Sequence, residues 1–250
     1  MASVKKGQLQ PGPNYPTMSG GVHPEIYNYL KDKYGRENVC WPLIAYDLQT
    51  QQVQGILYEV NRGNRVNESI TKPFFGSMAF PEYKLDYSSS HRSMVPIPLG
   101  HQIPWTGPPD ILGPQYESSY EFVTKHGGLN TIDIDYAWHG SNGSLFGLET
   151  STFYMKMNTK SYAEHLVQQV IEKRLSRKGA HHLNVLTHVA WKVGIKMSLV
   201  FFNVLGHSNT ILTEGHVYSI LLDTNTAQKL HSGIFVAGDY LLFSEWLSSL

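Results

Sequence analysis

Three acidic side chains lie within a short stretch of this sequence. Asp133 and Asp135 alternate with apolar residues in TIDIDYAW (131–138), and Glu149 lies in the apolar run that follows. Residues two apart share a face of an extended strand, so this alternation predicts that Asp133 and Asp135 point the same way. The turn signal SNGS (141–144) predicts a hairpin that brings Glu149 to the same side.

Carboxylates held this close raise one another's pKa and repel unless a positive group lies between them. A hard divalent cation with oxygen ligands, Mg²⁺ or Mn²⁺ in its place, supplies that charge. The spacing therefore predicts a metal site at Asp133, Asp135 and Glu149. Aspartates and a glutamate with this spacing also occur by chance in unrelated strands that bind no metal. In that case Glu149 is a buried carboxylate whose charge another partner must compensate.

The elements that position these carboxylates follow from the spacing of apolar residues and from turn and capping signals. Ser161 and Glu164 have the spacing of a capping box, and Gly194 has the place of a helix stop. Helices are predicted over 24–34, 161–175 and 183–193, and strands over 39–47, 53–60, 131–138, 145–155, 197–205 and 216–222. This order predicts an α/β (α+β) fold in which helices flank a mixed β-sheet.

Proline divides the chain into two parts, because all 13 prolines lie between Pro11 and Pro114. Proline lacks a backbone N–H, so the stretch 73–114 is expected to form loops and short edge strands. Its aromatic residues, among them Phe74, Phe75 and Phe80, are expected to form a small core. We therefore expect a flexible N-terminal arm over 1–20 and a single domain over 21–250, with an irregular proline- and aromatic-rich insert over 61–130.

Composition excludes several classes of protein. The chain has 250 residues, with 20 Lys plus Arg against 20 Asp plus Glu, so any nucleic-acid surface must be local. The single cysteine, Cys40, excludes an intrachain disulfide and a multi-cysteine zinc site. No apolar run is long enough to span a bilayer and no secretory signal is evident, so we expect an intracellular, cytoplasmic protein without a membrane partner. Motifs for ATPases, dinucleotide enzymes and zincins are absent.

The order of residues and elements over roughly residues 25–205 resembles the core of the PD-(D/E)xK nucleases. This order is an Asp on one strand, a short hairpin, a Glu in the apolar second strand, then a helix and a further strand. The resemblance implies a restriction-endonuclease-like core and metal-dependent hydrolysis of DNA phosphodiester bonds. It places Asp135 at the motif's Asp and Glu149 at its acidic partner. Asp133 is an alternative to Asp135 for the motif's Asp. The resemblance also puts Glu25, on the first predicted helix, at the position from which the family's leading acidic residue sometimes contacts the metal or its water shell.

The chain departs from that pattern at the motif's lysine, which normally orients or polarises the attacking water. Ser151 stands at this position, and no proline precedes Asp133 or Asp135. Lys156 or Lys160 could supply the charge, a second metal could replace it, or the protein is not an active nuclease. The predicted catalytic set is therefore Asp135, Glu149, Ser151, Lys156 and Lys160, and the predicted metal set is Asp133, Asp135, Glu149 and Glu25.

Basic residues near the second predicted helix and in the insert are the candidates for phosphate contact. They are Lys173, Arg174, Arg177 and Lys178, with Arg62, Arg65, Lys72 and Arg92. The first four also lie near the C-terminus of a predicted helix, where the helix dipole favours cations. We give equal weight to phosphate contact and to stabilisation of this helix end. His181, His182 and His188 are interpreted as a solvated or half-buried helix face and not as metal ligands.

The leading functional hypothesis is a metal-dependent DNA endonuclease acting as a homodimer, because a two-fold symmetric protein matches two-fold symmetric DNA. The alternative is a non-catalytic module that binds nucleic acid or protein on a degenerate nuclease fold. A mostly β structural protein with proline-rich arms leaves the predicted helices after Ser161 without a role.

Overall fold

The structure is a computed structural model, and it describes residues 23–47, 49–60, 74–76, 79–80, 82–86, 93–96, 130–153, 157–176, 180–205 and 210–250. The helices are α1 (Pro24–Tyr34), α2 (Lys160–Ser176), α3 (Ala180–Val193), α4 (Thr224–His231) and α5 (Phe243–Ser249), with a 3-10 turn at Arg36–Asn38. The strands are β1 (Val39–Cys40), β2 (Leu43–Tyr46), β3 (Val53–Val60), β4 (Glu82–Asp86), β5 (Ser93–Pro96), β6 (Asn130–Asp133), β7 (Tyr136–His139), β8 (Leu145–Phe153), β9 (Ile195–Leu205), β10 (Thr210–Ile211), β11 (His216–Leu222) and β12 (Asp239–Leu242).

These strands form two sheets. The larger has the order β1-β7-β8-β9-β11-β12, with β10 paired to β9, and the smaller has the order β5-β4-β3-β2-β6. In the larger sheet β8 and β9 are parallel and the other pairs are antiparallel. The parallel pair is joined through α2 and α3, which is the kind of crossover that parallel neighbours require. The coarse prediction of a mixed sheet flanked by helices is confirmed.

A two-stranded ribbon passes from one sheet into the other. Cys40 pairs with Ala137 in the larger sheet, and Leu43 pairs with Asp133 in the smaller one. Two residues, 41–42, therefore face three residues, 134–136, which is the arrangement of a β-bulge. Pro42 has no N–H to donate, so the ladder is interrupted here, although its carbonyl accepts a hydrogen bond from the Ile134 amide at 3.0 Å.

The bulge reverses the side-chain alternation of this ribbon. Ile132 and Ile134 belong to one buried cluster, whereas Tyr136 and Trp138 belong to another. An unbroken strand would place all four even-numbered side chains on one face. The prediction of one continuous strand over 131–138 is therefore wrong. That of one strand over 39–47 is also wrong, because β1 ends at Cys40 and β2 begins at Leu43, although the alternation between the two cores continues through 39–46.

Two hydrophobic cores cover the two faces of the larger sheet. The first core contains Met197, Leu199 and Phe201 of β9 together with residues of α2, α3 and α4. The second contains Val200 and Phe202 of the same strand together with residues of α1 and α5. The smaller sheet contributes to the first core through β2, β3 and β6. Helices on opposite faces therefore enclose the strands that hold the candidate carboxylates.

Local signals account for the helix boundaries. Pro24 starts α1 and Gly35 ends it at φ 89°, and Gly194 follows α3 at φ 74°, as predicted. The predicted capping box at Ser161 and Glu164 is wrong, because Lys160 is already helical. The Ala163 amide bonds to the Thr159 carbonyl and the Tyr162 amide to the Thr159 hydroxyl, so Thr159 is the N-cap.

The described part of the insert contains more regular structure than expected. β4 pairs in parallel with β3, and β5 forms an edge of the smaller sheet and ends at Pro96. The aromatic residues Phe74, Phe75 and Phe80 are buried in the first core and not in a core of their own. Residues 1–20, predicted to be an arm, and 97–129 lie outside the described residues. No helix within the described ranges has the length and apolar character needed to cross a membrane.

Candidate functional site

Asp135 occupies the middle of the bulge that joins the two sheets. Its side chain is 6% exposed. Its Oδ2 accepts hydrogen bonds from the Thr150 amide at 2.7 Å and from the Thr150 hydroxyl at 2.5 Å. Hydrogen bonds to an ionised acceptor are among the stronger ones in proteins. The carboxylate is therefore held against β8 by a residue of the neighbouring strand.

Glu149 precedes Thr150 on β8 and is also 6% exposed. Successive side chains of a strand point to opposite faces, so Glu149 lies on the face of the sheet covered by α2 and α3. Its Oε1 is 3.4 Å from Nε2 of His182, which lies in the first turns of α3. This contact joins the central strand of the site to the helix above it.

The predicted hairpin is present as β7–β8, and Asp135 directly precedes it. Tyr136, the first residue of β7, pairs with Leu148, so Asp135 lies one position before β7 and Glu149 one position after Leu148. The predicted turn closes this hairpin, with Gly143 at φ 77° and the Gly140 amide bonded to the Ser144 carbonyl. The backbone therefore places Asp135 near Glu149, but the Asp135 carboxylate contacts the side chain of Thr150, which points to the face of β8 opposite to Glu149.

Asp133 and Asp135 do not belong to one strand, although the sequence predicts that they do. It ends β6 and pairs with Leu43 in the smaller sheet, whereas Asp135 leads into the larger one. The extra residue in the bulge breaks the two-residue periodicity on which the prediction depended. The prediction that both aspartates belong to one continuous strand is therefore wrong.

Glu25 lies in the first turn of α1, in the helix predicted for it. That helix packs in the second core, on the face of the sheet opposite to His182 and Glu149. Its N-terminus is nevertheless tied to the site strand, because the hydroxyl of Tyr136 bonds both the amide and the carbonyl of His23. Among the residues that the structure describes, none forms a hydrogen bond with the buried Oε2 atom of Glu25.

The residues predicted to replace the motif's lysine are spread over β8, the following segment and α2. Ser151 is partly buried on β8, two positions after Glu149 and on the same face. Lys160 is the first residue of α2, where its Nζ is 3.9 Å from Oε1 of Glu164. Lys156 lies outside the described residues. Lys160 is thus engaged with a residue of its own helix.

Most of the predicted phosphate-contacting residues also lie outside the described part of the chain. Lys173 is exposed near the end of α2, and Arg174 follows it in the same helix. The remaining predicted residues are Arg62, Arg65, Lys72, Arg92, Arg177 and Lys178, and none is among the described ones. Their role stays a prediction.

The donor set suits a hard cation that keeps part of its water shell. Mg²⁺ is commonly held by one or two carboxylates, with waters and substrate phosphates completing its shell, and Asp135 and Glu149 offer two. Both carboxylates are buried, where a charge needs compensation. Among the described residues, no group of three or more His, Cys, Asp or Glu side chains is placed to hold a metal ion. The described residues therefore offer carboxylates of suitable chemistry but no assembled set of three ligands.

Two residues of this site were not identified from the sequence. Thr150 follows Glu149 directly on the strand of the predicted hairpin that faces Asp135. This position could have indicated a hydrogen bond to the Asp135 carboxylate. His182 was interpreted as part of a helix face, and it is indeed about one-third exposed, but its ring also faces Glu149. No local pattern links a helix residue to a strand residue 33 positions earlier.

The site therefore consists of Asp135 with Thr150, and Glu149 with His182, on two neighbouring segments of the larger sheet. Comparisons with family models, with curated proteins and with solved structures find no match to this chain.

Proposed function

We propose that this protein is a metal-dependent DNA endonuclease built on a restriction-endonuclease-like core. The observation that carries the proposal is the burial of two carboxylates close together in the chain fold, Asp135 just before β7 and Glu149 in β8. A folded protein buries a carboxylate only with compensation, and we infer that a divalent cation supplies part of it here.

The order of elements around this pair supports the same core. A helix precedes the strands, the hairpin holds both acids, and α2 and α3 lead to a strand parallel to β8. The bulge at Asp135 supports a functional interpretation, because bulges are frequent next to active sites, where they redirect a side chain.

Each side chain then has a defined role. Asp135 and Glu149 would hold Mg²⁺, which supplies a water of lowered pKa and neutralises phosphate charge. Thr150 fixes the Asp135 carboxylate through two hydrogen bonds, and His182 orients Glu149. Ser151, on the same face as Glu149, would contact the water that a lysine contacts in the motif that the sequence resembles.

The proposed substrate is DNA bound by a homodimer. The net charge of zero gives no general attraction for DNA, so binding depends on local basic residues such as Lys173 and Arg174. Two-fold symmetric DNA favours a two-fold symmetric enzyme. Light scattering with and without DNA tests the dimer, and a monomer in both conditions contradicts it.

The experiment compares isosteric variants in a plasmid-cleavage assay with Mg²⁺ or Mn²⁺. Asp135→Asn and Glu149→Gln keep the shape of the side chains and remove the negative charge, so both should abolish cleavage. Glu172→Gln is the matched control, because Glu172 is an exposed carboxylate of α2 that is bonded only by Gln168 among the contacts described here. Single-stranded DNA and RNA serve as parallel substrates.

Thermal melts by circular dichroism establish that the inactive variants are folded. Cleavage by both Asp135→Asn and Glu149→Gln at the wild-type rate overturns the proposal. Ser151 at the lysine position favours a second candidate, a non-catalytic binding module on the same core. That candidate gains support if the wild-type protein cuts none of the three substrates and Mn²⁺ gives no heat in calorimetry.

A further inference from the structure

A cleft away from the carboxylates lies between α3 and α4. Its volume is about 210 Å³, and the residues that matter to the argument are Asn184, His188 and Trp191 of α3 with Gln228 and His231 of α4. Ala227, which is buried, forms part of its floor. Neither the sequence patterns nor the proposed hydrolytic site assigns a role to this cleft.

Trp191 is the feature of the cleft that most needs an explanation. Its side chain is 65% exposed, whereas the other described tryptophans, Trp41, Trp138 and Trp246, are each at most 7% exposed. Lys192 Nζ lies 4.7 Å from the centroid of its ring, and the His188 ring lies 6.5 Å away at a tilt of 42°. A large exposed ring at the edge of a concave surface is suited to stacking against a planar ligand.

The groups around the ring favour a ligand that is both planar and anionic. None of the described residues that line the cleft is acidic, and Lys192 lies beside it. The amide groups of Asn184 and Gln228 can donate and accept hydrogen bonds, as needed to contact a base edge. Burial and the Lys192 charge lower the pKa of His188, so its imidazole is neutral at pH 7 and can accept as well as donate.

We propose that the cleft between α3 and α4 binds a nucleobase that stacks on Trp191, with the attached phosphate directed toward Lys192. Every base presents a π-face, so a tryptophan can stack on any of them. The cleft would therefore bind a single-stranded nucleic acid without strong sequence preference. The amides contact the edge of the base, and the cation compensates the phosphate charge.

This second site is independent of hydrolysis, although the two sites share a helix. His182, which contacts Glu149, and Trp191 are nine positions apart on α3, a separation of about 14 Å along the helix axis. Nine positions are about two and a half turns, so the two side chains project from opposite sides of α3, and binding at the cleft requires neither metal nor cleavage.

The test is fluorescence anisotropy with a short, labelled oligothymidylate in buffer containing EDTA. Trp191→Ala should weaken binding about tenfold, in line with the loss of one base–aromatic stacking contact, and Trp191→Phe should restore most of it. Ile234→Ala is the matched control, because Ile234 is 58% exposed and does not line the cleft. EDTA removes the divalent cation that the hydrolytic proposal requires, so binding that persists in EDTA and is weakened by Trp191→Ala separates this proposal from the hydrolytic one.

Further arms identify the form of the ligand. An abasic strand of equal length should bind weakly to all variants, since it retains phosphates without bases. Competition by thymidine monophosphate shows whether a free nucleotide suffices or a strand is needed, and either result is consistent with the proposal. Equal affinity of wild type, Trp191→Ala and Ile234→Ala for the oligothymidylate overturns it, and so does failure of the wild type to bind any of these probes.

Discussion

Asp135 and Glu149 are buried to the same degree but are held by different kinds of partner. Asp135 accepts two hydrogen bonds from Thr150, one from the backbone and one from the hydroxyl, whereas Glu149 faces an imidazole on a helix. The backbone bond is independent of residue type at position 150, so only the hydroxyl can be removed by substitution. Thr150 is therefore the residue through which the Asp135 environment can be altered with the least disturbance.

Thr150→Val removes the hydroxyl bond to Asp135 while it preserves the size and β-branching of the side chain. The free energy of unfolding should fall by about 1–3 kcal/mol, because a bond to a charged acceptor is lost and a largely buried carboxylate is left with fewer donors. Urea denaturation followed by circular dichroism measures the change. We also expect slower plasmid cleavage, since the orientation of Asp135 is less restricted.

Thr152→Val is the control for this experiment. Thr152 lies two positions further along β8, on the same face and similarly half-buried. Its substitution should change the free energy of unfolding by no more than about 0.5 kcal/mol. Equal effects of the two substitutions would show that the Asp135 contact does not stabilise the fold.

At the scale of single elements, capping residues decide where several helices begin. Asp223 is the N-cap of α4, with extended backbone angles and an Oδ1 that accepts from the Thr226 amide at 2.6 Å. This backbone hydrogen bond is the main cause of the lowered pKa of Asp223. The helix it starts forms one wall of the proposed base-binding cleft, so its stability bears on that site too.

Asp223→Ala should lower the free energy of unfolding by about 1 kcal/mol near pH 7, whereas Asp223→Asn should have little effect because asparagine is also a good N-cap. The folded-state pKa of Asp223 lies below its unfolded value of about 3.9. Its charge-dependent stabilisation is therefore complete above the unfolded value and is lost as the pH falls through the folded one.

Denaturation series in urea at neutral pH and below about pH 4 measure this prediction. The stability difference between wild type and Asp223→Ala should shrink in acid, and Asp223→Asn should remove this residue's contribution to the pH dependence. A difference that is unchanged across this range would contradict a charged cap at α4.

The accuracy of sequence interpretation also depends on the kind of element. The β7–β8 hairpin, α1 and the end of α3 follow from local turn, cap and spacing signals. The change of sheet at the bulge depends on how Pro42 faces Ile134 across two distant segments. The His182 contact likewise depends on tertiary packing, so neither was predictable from periodicity.

At the scale of the whole molecule, the two sheets share a core. The first core includes Ile44 and Ile132 of the smaller sheet together with Met197 and Leu199 of the larger one. The ribbon through Pro42 and Asp135 also joins the sheets covalently at two places. Because neither sheet could lose its partner without exposing part of this core, we expect the described elements to unfold in one cooperative transition.

Cys40 offers a direct test of that cooperativity because it is the single cysteine of the chain. It is 1% exposed in β1, within the first core. Burial and the nearby Glu82 charge raise the pKa of the thiol well above its usual range, so little reactive thiolate forms in the folded state. A thiol reagent should label the protein slowly in native buffer and rapidly once it unfolds.

Labelling of Cys40 as a function of urea should have the same midpoint as the loss of far-ultraviolet circular dichroism, since both report one transition. Thr150→Val, which weakens the larger sheet, should shift both midpoints downward by the same amount, and Thr152→Val should shift neither. Labelling that is complete at urea concentrations where the dichroism is still native would mean that β1 separates from the sheet on its own. The shared core would then not couple the two sheets.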